Sequence, residues 1–563
     1  MLIKNRLAEL VKQAIVAAQA DGALPAFAMP DVFVERPQRQ DWGDFSTSVS
    51  LKLARDAKRA PLQIAQAIAA HVPADESVAK VDASAPGFVN FILNPGWIAK
   101  QVDAVLEQGA QYGNLDCDKR LNVQVEFVSA NPTGPLHIGG GRNGAIGDTL
   151  ANVLQAAGHQ VQREFYINDN GSQVRIFGES IFARYAQALG RDEPFPENGY
   201  QGAYIVDMGK QIAQEHGEKF LHMQRKEATR MLGRMGIQSV LDGYAKTLGR
   251  MGVHFDRWFS ERSLHDDGTF ARALKILQDK KLTLEKDGAV WFAAQELGED
   301  KDAVLIRSPQ VIAEPDERPT YLGSDVAYVW NKLVERKFDR AIYIWGADHH
   351  GDVPRLMAVT RALGLDPARV TLLLHQFVNL KRGGELVKMS KRAGEFVSMD
   401  ELLDEVGPDA VRFMLISRSA DTTIDFDIEL AKKQSDENPV YYVQYSHARI
   451  SSILKKAAES GITPEGGDVS LLKHPAELEL IREMMRLPEV IELAAAKLEP
   501  HHLPHYAIDL AGVFHSFYDQ CRVVSSDPGD EVISRARLKL VRAAKGVFAR
   551  TLALMGVNAP ETM

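Results

Sequence analysis

The sequence predicts an α/β protein in three parts: a small N-terminal α/β module, a central parallel-sheet domain with a helical insertion, and a C-terminal all-α helical bundle. Three observations lead there. A strand-loop-helix-strand succession occupies 121–167, strand-like runs return at 340–345 and 370–374, and beyond about residue 430 only helical periodicity is left. With 563 residues, 45% of them apolar and 25% charged, the chain can bury several cores and has the composition of an ordinary water-soluble protein.

Residues 1–95 make the first module. Apolar positions recur at helical spacing over 3–20 and 62–72, and 87–93 alternates with the period of a strand. Pro95-Gly96 is expected to close the unit. The first twenty residues interleave charged and apolar positions, and no run of eighteen apolar residues occurs. Neither a signal peptide nor a membrane span is expected, which places the chain in the cytoplasm.

In the central domain, 115–390, Leu121 to Phe127 puts an apolar side chain at every second position. A loop punctuated by Asn, Pro and Gly follows. Ile146, Leu150, Val153, Leu154 and Ala157 then share a helix face, and Gly158 stands where a helix C′ residue belongs. With a second strand at 160–167 this is a βαβ unit, the seed of a Rossmann-like parallel sheet. The charged segment 190–280 reads as a helical insertion rather than sheet. Residues 391–435 are expected to connect to the bundle at 436–563, whose helices are predicted at 440–458, 475–498, 505–522 and 532–554.

Several function classes are set aside by composition. Cys117 and Cys521 are the only cysteines, and no C-x-x-C pair exists, so neither a disulfide framework nor a cysteine zinc site is expected. His349, His350 and His375 lack further positioned ligands, and no metal site is assigned. The formal charge of −9 makes any nucleic-acid contact regional.

The loop between the first strand and its helix carries the chemistry. Backbone N–H groups and the dipole at a helix start favour an anion, and glycines there admit one closely. Gly139-x-Gly141-x-x-Gly144 satisfies the dinucleotide pattern, but some ten residues separate Phe127 from Gly139 and His137 occupies the turn, which is the wrong spacing for that fold. No Walker pattern occurs at this site. Farther on, Lys388 and Lys391 stand three apart and can both reach a polyphosphate, stabilising the charge that gathers on a departing pyrophosphate. Ser398-Met399-Asp400-Glu401 fits a capping box and predicts a helix immediately after.

The string Ala130-Asn131-Pro132-Thr133-Gly134-Pro135-Leu136-His137-Ile138-Gly139-Gly140, with Gly141-Arg142-Asn143-Gly144 behind it, resembles the HIGH signature of class I aminoacyl-tRNA synthetases in its arginyl form. Lys388-Met389-Ser390-Lys391 resembles the KMSKS motif of the same class. There is one departure: where the family usually has a second histidine, this chain has Gly140. The resemblance implies that His137 hydrogen-bonds the phosphates of ATP and that Lys388 and Lys391 act with it in catalysis. Pro132, Thr133, Gly134, Gly139, Gly140, Gly141, Asn143, Met389 and Ser390 would complete the nucleotide site, with Mg2+ carried in by ATP.

A guanidinium is planar with five donors, so a pocket that selects it needs carboxylates and an aromatic face. If 321–325 is helical, Tyr321 and Asp325 lie one turn apart and offer both. The segment Tyr321-Leu-Gly-Ser-Asp325 is similar to the family motif that binds substrate arginine, and Glu126 and Asn131 are assigned to arginine by the same resemblance, as are Asp348 and His349 after the later strand.

RNA would be met elsewhere. Arg535, Lys539 and Arg542 share one helix face in a stretch, 532–550, that has no acidic residue. Residues 438–449 resemble the entry to the family's anticodon-binding domain; Tyr441, Tyr442 and Tyr445 there could pack a core or stack bases. The N-terminal module resembles the family's extra domain, which touches the outer corner of tRNA. The expected partners are L-arginine, ATP and tRNA-Arg, with no membrane and a monomeric chain.

Overall fold

Helix α1 (Ile3–Ala20) turns Leu7, Leu10, Val11, Ala14, Ile15 and Ala18 inward, the i, i+3, i+4, i+7 spacing of one buried stripe. That stripe needs a partner surface, which β1 (Phe45–Thr47), α2 (Val49–Ala57), α3 (Pro61–His71), β2 (Val78–Ser84) and β3 (Phe88–Leu93) supply around an antiparallel sheet of order β1-β3-β2. The computed structural model describes all residues except 1, 38, 40, 41, 313, 315, 316, 388–396 and 526. Pro95-Gly96 opens α4 (Pro95–Gln108) instead of closing the module. Asn94 caps that helix by accepting from Gly96 N at 2.9 Å, and proline is at ease in a first turn, where its missing N–H has no intrahelical partner to lose.

The central domain runs β4 (Asn122–Glu126), α5 (Ile138–Ala156), β5 (Gln160–Ile167), α6 (Ser172–Ala188), α7 (Ala203–His216), α8 (Arg225–Arg250) and β6 (Arg257–Ser260). Next come α9 (Glu261–Asp266), α10 (Thr269–Asp279), β7 (Thr283–Lys286), β8 (Ala289–Phe292), β9 (Ala303–Ile306), α11 (Tyr321–Trp330), β10 (Arg340–Gly346), α12 (Val353–Ala362) and β11 (Val370–His375). Five strands form one sheet in the order β11-β10-β4-β5-β6, and every neighbouring pair is parallel. The chain starts in the middle at β4, steps out through β5 to β6, and returns to β10 on the opposite flank. The change of direction falls between β4 and β10, and in sheets wound this way a crevice lies beyond the strands' carboxyl ends at that point.

The layout departs from expectation in two places. Arg257–Ser260 lies inside the stretch read as helical insertion yet pairs with β5 as the edge of the parallel sheet; at four residues it is too short to show a period. Strands β7, β8 and β9 build a separate antiparallel sheet between α10 and α11.

Beyond the sheet come β12 (Val378–Arg382), β13 (Glu385–Leu386), α13 (Met399–Val406), α14 (Pro408–Leu415), β14 (Ile424–Asp427) and α15 (Ile428–Lys432), with the three strands in a small sheet, the last of them inside the 391–435 stretch where connecting helices were expected. The capping box forms as expected, Ser398 Oγ accepting from Glu401 N while the Glu401 carboxylate accepts from Ser398 N. The bundle is α16 (Pro439–Glu459), α17 (Pro475–Met484), α18 (Leu487–Lys497), α19 (His502–Gln520) and α20 (Glu531–Met555). Residues 475–498 split in two because Pro488, which cannot donate in a helix interior, sits in the first turn of α18.

Buried Arg412 ties the bundle to the central domain. It donates to the carbonyls of Met555 and Met251, both at 2.7 Å, and to Asp148 Oδ2 at 2.6 Å. Among the described residues no helix is long and apolar enough to cross a membrane.

Candidate functional site

After β4 the chain turns through two left-handed residues, Val128 (φ 66°) and Ser129 (φ 39°). A β-branched residue there costs roughly 1–2 kcal/mol. Asn143 on α5 helps to hold the turn, its Oδ1 accepting from Val128 N at 2.8 Å. The same amide donates to Ile344 O at 2.9 Å and bonds His375 Nε2 at 3.2 Å, joining the ends of β4, β10 and β11. Asn143, expected at the nucleotide, is therefore committed to the scaffold, because both of its polar atoms are used inside the fold. Burial pushes His375 down to about 4, so it stays neutral and able to accept that bond.

Two tyrosines that sequence reasoning missed clamp the loop. Tyr244 OH donates to Asn131 O and Gly134 O, at 3.0 and 2.8 Å, and Tyr204 OH donates to Thr133 O at 2.7 Å. Both come from the helical insertion, which thereby fixes Pro132, Thr133 and Gly134 at the mouth of the crevice. His137 is the N-cap of α5, its Nδ1 accepting from Gly139 N at 3.1 Å. That bond selects the tautomer protonated on Nε2, a donor suited to an anion.

The glycines are spacers. A Cβ at Gly139 would meet the His137 ring at 2.9 Å, one at Gly140 would meet Leu136 Cδ1 at 2.5 Å, and one at Gly141 would meet Met399 Sδ at 2.4 Å. Leu136 thus stands in the room that a side chain at 140 would need.

Lys388, Met389, Ser390 and Lys391 lie outside the described residues. The chain just after them is fixed against the turn: Ser398 bridges His137, and Met399 N donates to Leu136 O at 2.9 Å. Residues 398 and 399, which follow the second motif in sequence, therefore lie against the turn of the first.

Beside this turn lies an acidic pocket. Tyr321 and Asp325 both fall on α11, one turn apart, with Thr320 capping the helix. Tyr321 is half exposed at 54%. Asp325 is pushed up to about 8, first by burial and then by the charges of Glu126, Glu261 and Asp352, against which Lys332 pulls down. Burial lifts Glu261, at the start of α9, to about 7 although Ser324 Oγ donates to it at 2.5 Å. Its second oxygen is buried and has no hydrogen-bond partner among the described residues. Asn168 donates to Asn131 Oδ1 at 2.8 Å, and its own buried Oδ1 likewise has no partner there.

Glu126 ends β4, accepting from Lys332 Nζ at 2.6 Å and from Ser129 Oγ at 3.2 Å. The site thus gathers more carboxylate than cation, with acceptors left open, which is the complement of a ligand that is all donor and positive. Glu261, Asn168 and Lys332 had no sequence signal: the first follows a four-residue strand, and the others sit outside any motif.

Asp348 and His349 ride the short turn Ala347–Asp352 at the carboxyl end of β10, on the crevice rim and mostly exposed. His349 Nδ1 lies 3.4 Å from Asp352 Oδ2. The one described grouping of three metal-capable donors, Glu499, His501 and His502, is in the helical bundle, not in this cleft.

The three cations of the expected basic face each take part in an ion pair. Arg535 pairs with Glu531 at 2.8 Å, Arg542 with Glu465 at 2.7 Å, and Lys539 with Asp103. Glu531 belongs to the first turn of the same helix, whereas Glu465 and Asp103 are brought from other elements by folding. An alternative lies on the bundle in a cavity of about 390 Å3, lined by Tyr445, Arg449, Lys456, Tyr518 and the C-terminal Thr562-Met563. The Arg449 guanidinium bonds Tyr445 OH at 2.8 Å and lies 4.3 Å from the centre of the Tyr518 ring, and Tyr441 stacks on Tyr445.

Comparisons with known proteins agree over the whole length. Residues 5–93 match the family described as arginyl tRNA synthetase N terminal domain, residues 101–451 match tRNA synthetases class I (R), catalytic domain, and residues 443–563 match DALR anticodon binding domain. The chain is 47% identical over 563 residues to an arginine–tRNA ligase of Dehalococcoides mccartyi, covering 100% of this chain and 99% of that one. It is 44% identical over 568 residues to one of Heliobacterium modesticaldum, at the same coverage. The Thermus thermophilus arginyl-tRNA synthetase structure superposes with a TM-score of 0.76 at 23% identity, covering 100% of both chains, and so shares the fold.

Proposed function

This chain belongs to the arginyl-tRNA synthetase family, and from that premise we propose how its residues divide the work. It is an ATP-dependent arginine–tRNA ligase with a class I catalytic domain. The observation that carries the substrate assignment is the acidic pocket at the switch point, where Asp325 and Glu261 are held partly protonated and a buried Glu261 oxygen lacks a donor among the described residues. A guanidinium supplies both the charge and the hydrogen bonds.

Arginine lies with its side chain toward Asp325, Glu261 and the Tyr321 ring, and its backbone end toward Glu126, Asn131, Asp348 and His349. The phosphates of ATP lie over the first turn of α5, met by its amides and by His137 Nε2, and Lys388 and Lys391 are the lysines assigned to the same phosphates. The turn's donors, backbone N–H and imidazole, suit phosphate oxygen rather than a metal, so Mg2+ comes bound to the nucleotide and keeps phosphate and water ligands. The arginine carboxylate displaces pyrophosphate from the α-phosphorus, and the terminal ribose hydroxyl of tRNA-Arg then displaces AMP from the arginyl-adenylate. The protein's part is alignment and charge balance rather than covalent attack.

Residues 1–95 are assigned to the outer corner of tRNA and 436–563 to the anticodon, the latter through the Arg449–Tyr518 cavity, whose rings and cation suit an unstacked base. The working unit is a cytoplasmic monomer that activates arginine only with tRNA bound. ATP–pyrophosphate exchange with each of the twenty amino acids, with and without tRNA, tests the assignment. Exchange with arginine alone, dependent on tRNA, is expected. Equal exchange with lysine or with a neutral amino acid would overturn the pocket reading.

A further inference from the structure

We infer that Lys332 is a positioning residue for the amino-acid substrate: its ammonium, seated between two tyrosine rings, holds the Glu126 carboxylate in place at the end of β4 and balances its charge. The inference rests on the arginine reading of the pocket and deepens it by assigning a role to a residue that touches no substrate.

Lys332 is fully buried, an unusual place for a lysine. Its Nζ donates to Glu126 Oε2 at 2.6 Å and lies 3.5 Å from the centre of the Tyr343 ring and 3.9 Å from that of Tyr328. Two ring faces and one carboxylate surround the ammonium, a cage for a cation in a dry site. Local structure delivers it there. Helix α11 continues into a wider π-type turn, Asn331–Glu335, and such turns often re-aim side chains at functional sites.

The charged groups around it come from every neighbouring element: Glu126 on β4, Glu164 on β5, Asp325 on α11 and Arg336 just past the turn. Glu164 is already engaged by Tyr328 OH at 2.6 Å and Arg336 Nη1 at 2.9 Å. That leaves Lys332 as the direct cationic partner of Glu126. Without it, Glu126 would be a buried acid beside Asp325, and the two would repel into other positions or take up protons, blunting the grip on a cationic substrate.

The test uses the full chain and three variants, Lys332→Met, Lys332→Arg and Lys332→Met with Glu126→Gln, each followed by thermal melting and by aminoacylation kinetics between pH 6 and 8. Lys332→Met should raise KM for arginine roughly tenfold or more while leaving KM for ATP within about twofold, and the penalty should grow toward low pH. Lys332→Arg should recover most of the loss. The double variant should melt closer to the parent than Lys332→Met does, since no lone charge is buried, yet keep the raised arginine KM.

An unchanged arginine KM and pH profile in Lys332→Met would overturn the proposal. If that variant fails to fold, an unchanged arginine KM in the double variant would overturn it instead. Failure of the parent chain to charge arginine would sink the substrate reading itself, a result distinct from either.

Discussion

Arginine binding should expel about one proton from the enzyme near neutral pH. In the free protein Asp325 is raised to about 8 and Glu261 to about 7, in each case first by burial. At pH 7 they are then about nine-tenths and about one-half protonated, roughly 1.4 protons between them. A guanidinium cannot give up its own proton in this range and favours the ionised carboxylates, so it displaces those protons as it enters. At pH 9 the same arithmetic leaves only about a tenth of a proton to lose.

Isothermal titration of the tRNA-free enzyme with arginine, in buffers of different ionisation enthalpy, reads the number directly. Its companion is the affinity, which should tighten about tenfold or more per unit between pH 6 and 7 and level off above 8. Stability changes in the opposite direction. Between their ordinary values and the raised ones, the folded state holds more protons than the unfolded, so the stability of the free enzyme falls as pH rises through that window, and arginine cancels the fall. A proton count near zero at pH 7 with a pH-independent affinity would mean that the acids are already ionised, and the pocket argument would fail.

Asp325→Asn should remove most of the proton release and raise the arginine KM by about 2–3 kcal/mol in transition-state terms, read by pyrophosphate exchange in the presence of tRNA; a normal KM would refute the assignment. Arg412→Met should destabilise the chain by roughly 2–4 kcal/mol, because it leaves the carbonyls of Met251 and Met555 without this donor and Asp148 with Arg163 as its remaining guanidinium partner, and a loss under about 1 kcal/mol in urea melts would show that the hub is dispensable. Joint replacement of Tyr445 and Arg449 by alanine should raise the KM for tRNA about tenfold and leave those for ATP and arginine alone. Arg542→Ala, which breaks only an exposed pair with Glu465, should change the tRNA KM by less than about twofold; a large rise there would restore the basic face of α20 as an RNA contact.

Local pattern was enough for much of the scaffold. The helix at 3–20, the strands 160–167 and 340–346, and the capped helix after Ser398 all announce themselves through periods or caps that act within a few residues. What local pattern did not show was either short or dependent on distant partners. Strand β6 has four residues and no period, Pro95 starts a helix because Asn94 happens to cap it, and the cations of α20 are neutralised by Asp103 and Glu465 from other elements.

By itself, the amino-acid order determined which chemical groups the chain owns and the local shapes they adopt: a glycine-spaced histidine turn after a strand, a lysine pair far downstream, and a tyrosine and an aspartate one helical turn apart. Only the tertiary structure decided which of them meet, and with what charge. Glu126, Glu261, Asp325 and Lys332 span more than two hundred residues, and their mutual fields exist only once the parallel sheet closes and removes the water that would otherwise screen them. Local conformation is set by forces that act within a few residues, whereas a pocket's electrostatics depend on burial and on neighbours that no linear pattern records.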